Sequence, residues 1–263
     1  MIFACHQPNF LPWTGFFYKA LLADLVVLLD DVQFARGFTW VNRNRLKFDQ
    51  GELWLTVPVK RKGRGLQKIK DVEVLEEGNW PRKFFQAISQ NYAHAPYFAD
   101  HRTFLKDLME MKGKKLVDLN VSAINYVTRC LGIDTEVILQ SSLGIQSQGS
   151  ELLVTIARET GYQVYLAPHL SKKYLDQNLF ARHGIAIHFF NFTPPVYPQL
   201  WGEFIYNLSI FDLLLNCGIK SREIIEKCNY IAKLSYRQHF NYPVFPPNIK
   251  RLASRHFVLY RHH

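Results

Sequence analysis

Short unbroken apolar runs alternate along the chain with stretches whose apolar positions recur at helical spacing. Residues 1–5 form a run of strand length, residues 12–22 place Trp13, Phe16, Phe17 and Leu21 at helical intervals, and residues 25–29 (LVVLL) form a second buried-strand run. Together they predict a βαβ unit of about 30 residues, the usual size. Residues 53–59 and 72–75 cluster β-formers on either side of a basic stretch and predict a hairpin. Helical spacing follows over 80–92, 104–111 and 116–131, the last closed by Gly132. From residue 135 the two signals alternate again: strands at 136–139, 163–166 and 185–190, with helices at 151–160 and 177–183 closed by Gly161 and Gly184. Short, continuously apolar strands separated by helices predict a mainly parallel, Rossmann-like α/β sheet covered by helices. Without a low-complexity linker, the expected organisation is one α/β domain over 1–228 with a helical insertion near 79–132, then a basic tail over 229–263.

Composition narrows the class. The 263 residues are 48% hydrophobic, 21% charged and 14% aromatic, which excludes disorder, collagen-like repeats and a coiled coil. No stretch reaches the ~18–20 uninterrupted apolar residues of a spanning helix, and no basic residue precedes the first apolar run. Neither a membrane span nor a secretory signal is expected. Cys5, Cys130, Cys217 and Cys228 fit neither CxxC metal chemistry nor a compact disulfide scaffold, and read as reduced thiols of a cytoplasmic protein. The formal charge of +10 is unevenly placed: residues 60–70 (KRKGRGLQKIK) hold six basic residues and no acid, and 229–263 hold another six and no acid. What remains is near neutral, so nucleic acid is not the expected partner. The loop reads either as a solvated hairpin tip or as a flap over a phosphorylated ligand, and the proline-containing tail as packed or irregular chain.

The candidate chemistry gathers near the ends of the first two strands. His6 and Gln7 follow the first strand at the mouth of HQPNFLPW, where two prolines fix a non-helical loop, and Asp30-Asp31 end the second. If those strands are parallel neighbours, these side chains lie along the carboxyl edge, where open α/β sheets bind ligands. A His beside Asp serves as a general base or as a satisfied structural pair, and the two aspartates equally suit capping of the following loop. Asn42-Arg43-Asn44-Arg45, if extended, sends both arginines to one face and both asparagines to the other, giving either a diphosphate- or carboxylate-binding pair or a charge-protected edge strand. Ser209 and Asp212 precede an apolar run in a capping-box pattern, and Gly149-Ser150 reads as a helix start. No GxSxG, HExxH, P-loop or GxGxxG pattern is present.

HQPNFLPWTGFFYK (6–19), LDDVQF (29–34), NRNRLK (42–47), LTVPV (55–59), YPQLWGEF (197–204) and LSIFDLLLNCG (208–218), in this order, resemble the WbqC-like family of bacterial and archaeal proteins. Leu166-Ala167-Pro168-His169 departs from the family's Ser-Gly pair, and Tyr206 from its usual proline. The resemblance implies a role in surface-polysaccharide biosynthesis, attaching a glycyl or other acyl group to the amine of a nucleotide-linked amino sugar. Such an amine must lose a proton before or during attack. His6 is the candidate base, with Asp30 or Asp31 fixing its tautomer. Arg43 and Arg45 would hold the diphosphate, Asn42 and Asn44 or Gln33 would read hydroxyls, Gln7 would contact the substrate, and the basic loop would close over the site. The expected donor is a thioester or an acyl adenylate made from ATP, delivered by an acyl-carrier or other donor protein. No resident cofactor or metal is assigned. Cys5 adjoins His6, but successive strand residues point to opposite faces, which disfavours a covalent thioester on Cys5. An ATP-dependent amide ligase or nucleotidyltransferase remains open, although its HxGH signature is missing, as does a noncatalytic nucleotide-sugar binder.

Overall fold

A computed structural model describes residues 1–229 except 112 and 114. The expected tail thus lies almost wholly outside the described residues. The first strand, β1 (Ile2–His6), leads through the proline loop into helix α1 (Thr14–Leu22), and the chain returns in β2 (Leu25–Leu28), parallel to β1. Later come β5 (Glu136–Leu139), β6 (Val164–Pro168) and β7 (Ala186–Phe190), with α5 (Gly149–Thr160) and α6 (Gln177–Arg182) between them. All pairings among these strands are parallel, in the order β5-β2-β1-β6-β7. The α/β fold is thus the one expected, and its reason is visible in burial. Leu25–Leu28 is buried at every position, so both faces of β2 are covered.

The hairpin differs from expectation. Its strands are β3 (Arg43–Phe48) and β4 (Gly51–Thr56), antiparallel, while the flanks of the basic loop meet only at the single bridge Val59–Val74. Gly51, at φ 128°, takes the turn that other residues avoid, so pairing starts there. Helices α2 (Trp80–Tyr92), α3 (Phe98–Glu110) and α4 (Leu116–Cys130) follow, with α3 starting six residues before its expected beginning. One continuous apolar cluster joins Ala4, Val26 and Leu28 of the sheet to Ile88, Leu105 and Ile124 of these helices. The described chain closes with α7 (Ile210–Cys217) and α8 (Ser221–Glu226).

Candidate active site

Strand order decides where a ligand can enter. The chain moves from β1 outward to β2 and β5, then crosses back to lay β6 on the other side of β1. The crossover connections on the two sides therefore diverge between β1 and β6, which is the topological switch point where open α/β sheets bind ligands. The ladder reflects this: β1 pairs with β2 from Phe3 to His6, but with β6 only at Ile2–Val164 and Phe3–Tyr165. Beyond Phe3 the strands no longer pair across this gap. Its two lips are the loop from His6 to Trp13 and the turn from His169 to Tyr174, which carries exposed Lys172 and Lys173.

Lys19 reaches this gap. Its side chain is 4% exposed, and Nζ donates to the Cys5 carbonyl at 2.7 Å. Among the described residues no carboxylate pairs with it, and burial pulls its pKa down from 10.5 to about 8. His6 stands next to it. The imidazole meets the Phe16 ring edge-on with centroids 5.1 Å apart, and Nδ1 lies 2.8 Å from the Gln7 carbonyl oxygen. A carbonyl only accepts, so Nδ1 carries the proton and Nε2 is left as the acceptor. Burial, reinforced by the neighbouring Lys19 ammonium, pushes the His6 pKa down to about 3. His6 is therefore neutral throughout the physiological range. Cys5, on the opposite face of the strand, is buried with its thiol pushed up to about 12, which leaves no thiolate for covalent chemistry.

The expected carboxylate partner of His6 is a correction. Asp30 accepts hydrogen bonds from the backbone N–H of Ser141, at 2.8 Å, and from its hydroxyl, just after β5. Asp31 holds Lys68 Nζ at 2.9 Å and Lys70 Nζ at 2.7 Å. The reason is topological: β2 lies between β1 and β5, and its continuation turns toward β5 and the basic loop. Burial raises the Asp30 pKa despite the Ser141 hydrogen bonds, whereas for Asp31 burial is outweighed by Lys70 and Lys68, which hold it below the usual range. The basic stretch is accordingly docked on the protein, with Lys60 and Arg64 also paired to Glu73.

The asparagines are a second correction. Asn44 Nδ2 donates to the Phe10 and Leu11 carbonyls at 3.1 and 2.7 Å, and Asn42 Nδ2 to the Val57 carbonyl at 3.0 Å. Both are buried and clamp chain rather than face a ligand. Leu11 needs the clamp because its φ of 41° is unfavourable for a branched side chain. Asn120 of α4 holds the same loop, donating 2.7 Å bonds to the Pro8 and Val41 carbonyls. At Gly15 a Cβ would come within 2.6 Å of the Trp13 indole, so only glycine lets that ring lie over the start of α1. Gln7 and Gln33 are exposed, Gln33 at a backbone bridge to Lys68.

A sequence profile of the WbqC-like protein family matches residues 7–224, from the proline loop into α8. The chain belongs to the WbqC-like family. It is also 30% identical over 224 residues to the uncharacterised protein Rv1507c of Mycobacterium tuberculosis, covering 84% of this chain and 96% of that protein. No solved structure matches it.

Three of the WbqC-like motifs, 42–47, 197–204 and 208–218, build a buried knot rather than the crevice. Asp212 is fully buried and accepts from the Tyr92 hydroxyl and, at 2.8 Å, from the Tyr197 hydroxyl. Tyr92 in turn accepts the Lys47 backbone N–H at 2.9 Å, and Lys47 Nζ donates to the Glu203 carbonyl at 2.6 Å. Burial raises the Asp212 pKa, against the two tyrosine hydrogen bonds. Ser209 caps α7 as expected, its Oγ accepting from Phe211 N–H at 3.3 Å, but the reciprocal half of the capping box is not formed. The Ser209 N–H donates to the Arg45 carbonyl instead. Ser150 likewise does not cap α5; its Oγ accepts the Asp176 N–H.

Lys19 is the residue that sequence reasoning passed over, although it closes the longest WbqC-like motif. A lone lysine in a helix normally points to water. The available signal was that α1 (TGFFYKALL) has no other charge and apolar residues on every side, a pattern that buries a helix completely.

Proposed function

We propose that this WbqC-like protein is a transferase that joins an acyl or aminoacyl group, such as glycyl, to the amine of a nucleotide-linked amino sugar, in the crevice between β1 and β6. The observation that carries the reading is the buried, uncompensated Lys19 beside His6, whose tautomer is fixed by Gln7. The amine attacks the carbonyl carbon of a thioester, the C–S bond breaks and the thiolate leaves. The proton lost by the amine passes to His6 Nε2 and on to the departing sulfur. His6 takes the proton only once attack has made the amine nitrogen cationic and far more acidic than in the free ammonium, and it passes the proton to sulfur without resting as an imidazolium, so it acts as a relay rather than as a standing base. The Lys19 ammonium stabilises the negative charge that develops on the acyl oxygen and on sulfur, most strongly where water is excluded. Family membership supports the sugar half of the reading.

The test is incubation of the protein with a nucleotide-linked amino sugar, either with an acyl thioester or with a free amino acid and ATP, followed by the product mass. A mass gain that needs the thioester and not ATP is expected. A gain that needs ATP would replace the transferase by a ligase, and binding without turnover in either mixture would make the protein a carrier.

A further inference from the structure

The hairpin and the segment leading into it carry an aromatic surface that the crevice chemistry does not use. Phe38, Trp40 and Trp54 are exposed by 55%, 38% and 40%. The two indoles are stacked with centroids 5.7 Å apart and planes 25° from parallel, and Phe38 stands edge-on to both, at 5.0 and 5.8 Å. The Arg43 guanidinium lies among them, 5.0 Å from the centre of Trp54 and 5.2 Å from that of Phe38. Arg45, on the same strand face, is neutralised by Glu52 and also donates to the Tyr206 carbonyl. Arg43 has neither: among the described residues no carboxylate or hydrogen-bond acceptor meets it, and its Nε is buried without a partner. An arginine held among aromatic rings and short of an anion is pre-organised for phosphate.

We infer that Phe38, Trp40, Trp54 and Arg43 form a nucleoside diphosphate subsite, the base stacking on the indoles and the diphosphate meeting Arg43. This deepens the transferase reading, on which it rests for the sugar half of the ligand. A ring sandwiched between two others needs two contacts of about 3.5–4.0 Å, more than the 5.7 Å here, so the base lies across the outer faces of the stack. Stacking accepts any base, because every base has a π-face. The segment leading into the hairpin and the hairpin itself both touch the proline loop of the crevice: the Trp40 carbonyl accepts the Phe10 N–H at 2.9 Å, and Asn44 ties the loop to β3.

Calorimetric titration with uridine diphosphate, uridine, inorganic pyrophosphate and free glucosamine tests this on the wild type and on Trp54→Ala, Phe38→Ala and Arg43→Gln. Phe38 lies outside the hairpin strands, so its variant keeps a folded reference, and circular dichroism checks all three. Trp54→Ala should weaken uridine diphosphate and uridine by about 5- to 150-fold, the usual range for a stacked base, and leave pyrophosphate unchanged. Arg43→Gln should weaken uridine diphosphate and pyrophosphate and spare uridine. Glucosamine binding that depends on Trp54 would make the surface a sugar platform and overturn the assignment, as would unchanged uridine diphosphate affinity in every folded variant. Normal KM for the sugar nucleotide in Trp54→Ala would overturn the subsite and leave the transferase reading standing. Trp54-dependent nucleotide binding without turnover by any donor would do the reverse.

Discussion

Lys19→Met separates a buried charge from a merely buried chain. Methionine keeps most of the aliphatic stem and removes the ammonium. The folded protein holds Lys19 at a pKa of about 8 against 10.5 for an unperturbed lysine, and at 1.36 kcal/mol per unit this is a penalty of about 3 kcal/mol while the group is charged. Because Lys19 is only 4% exposed, little of that figure is lost to solvent screening. Against it stands the Cys5 carbonyl, which loses its donor at a cost of roughly 1–3 kcal/mol. Near pH 7.5 the two offset each other, and the variant should match the wild type or exceed it by up to about 2 kcal/mol. Between about pH 8 and 10.5 the unfolded chain binds a proton that the folded protein has released, so wild-type stability rises with pH through this window. Above it the penalty has vanished and only the lost hydrogen bond remains, leaving the variant less stable by roughly 1–3 kcal/mol. Urea unfolding of both proteins at pH 7.5, 9 and 10.5 measures the difference, in which titrations common to both cancel. The same substitution should raise the His6 pKa, seen in the NMR titration of its ring protons, because the ammonium's repulsion is gone. A stability difference flat across the window would refute the burial of a charged Lys19 and remove it from the site.

His6→Asn should lower turnover by about 10²–10⁴, the usual contribution of a proton-transfer group, with nucleotide-sugar affinity largely kept, as single-turnover and titration measurements would show. The wild type should also lose stability as pH falls from 6.5 toward 3, where the unfolded chain protonates His6 and the folded protein does not; denaturant midpoints in the His6→Asn variant should lack that component. Asp212→Ala strands two buried tyrosine hydroxyls and should cost roughly 2–5 kcal/mol, against about 1 kcal/mol for loss of the Ser209 cap. Equal losses in thermal and urea unfolding would show that the buried knot carries no more than the cap.

Periodicity alone located β1, α1, β2 and β5–β7, because continuous apolar runs of strand length between helical stretches have one economical packing, a parallel sheet covered on both faces. The alternation Asn42-Arg43-Asn44-Arg45 likewise placed the arginines and asparagines on opposite faces, since a strand has a period of two. Which of these side chains meet a ligand was a matter of partners that no local pattern contains. Asn44 is spent on a strained loop 33 residues away, Arg45 on Glu52, and Asp30 on a serine beyond β5, while Arg43 meets no anion among the described residues. The hairpin was misplaced for a related reason. The β-forming residues around the basic stretch signalled extended chain, but Gly51 fixed the turn elsewhere. Above all, the crevice depends on the order in which parallel strands are laid down. His6 was legible as a residue at a strand end, but the buried lysine beside it lies on the β6 side of β1, where the ladder stops at Phe3 and its ammonium fills the gap. Strand order and the burial of a single charge arise from contacts between distant segments, and only the assembled tertiary structure brings them together.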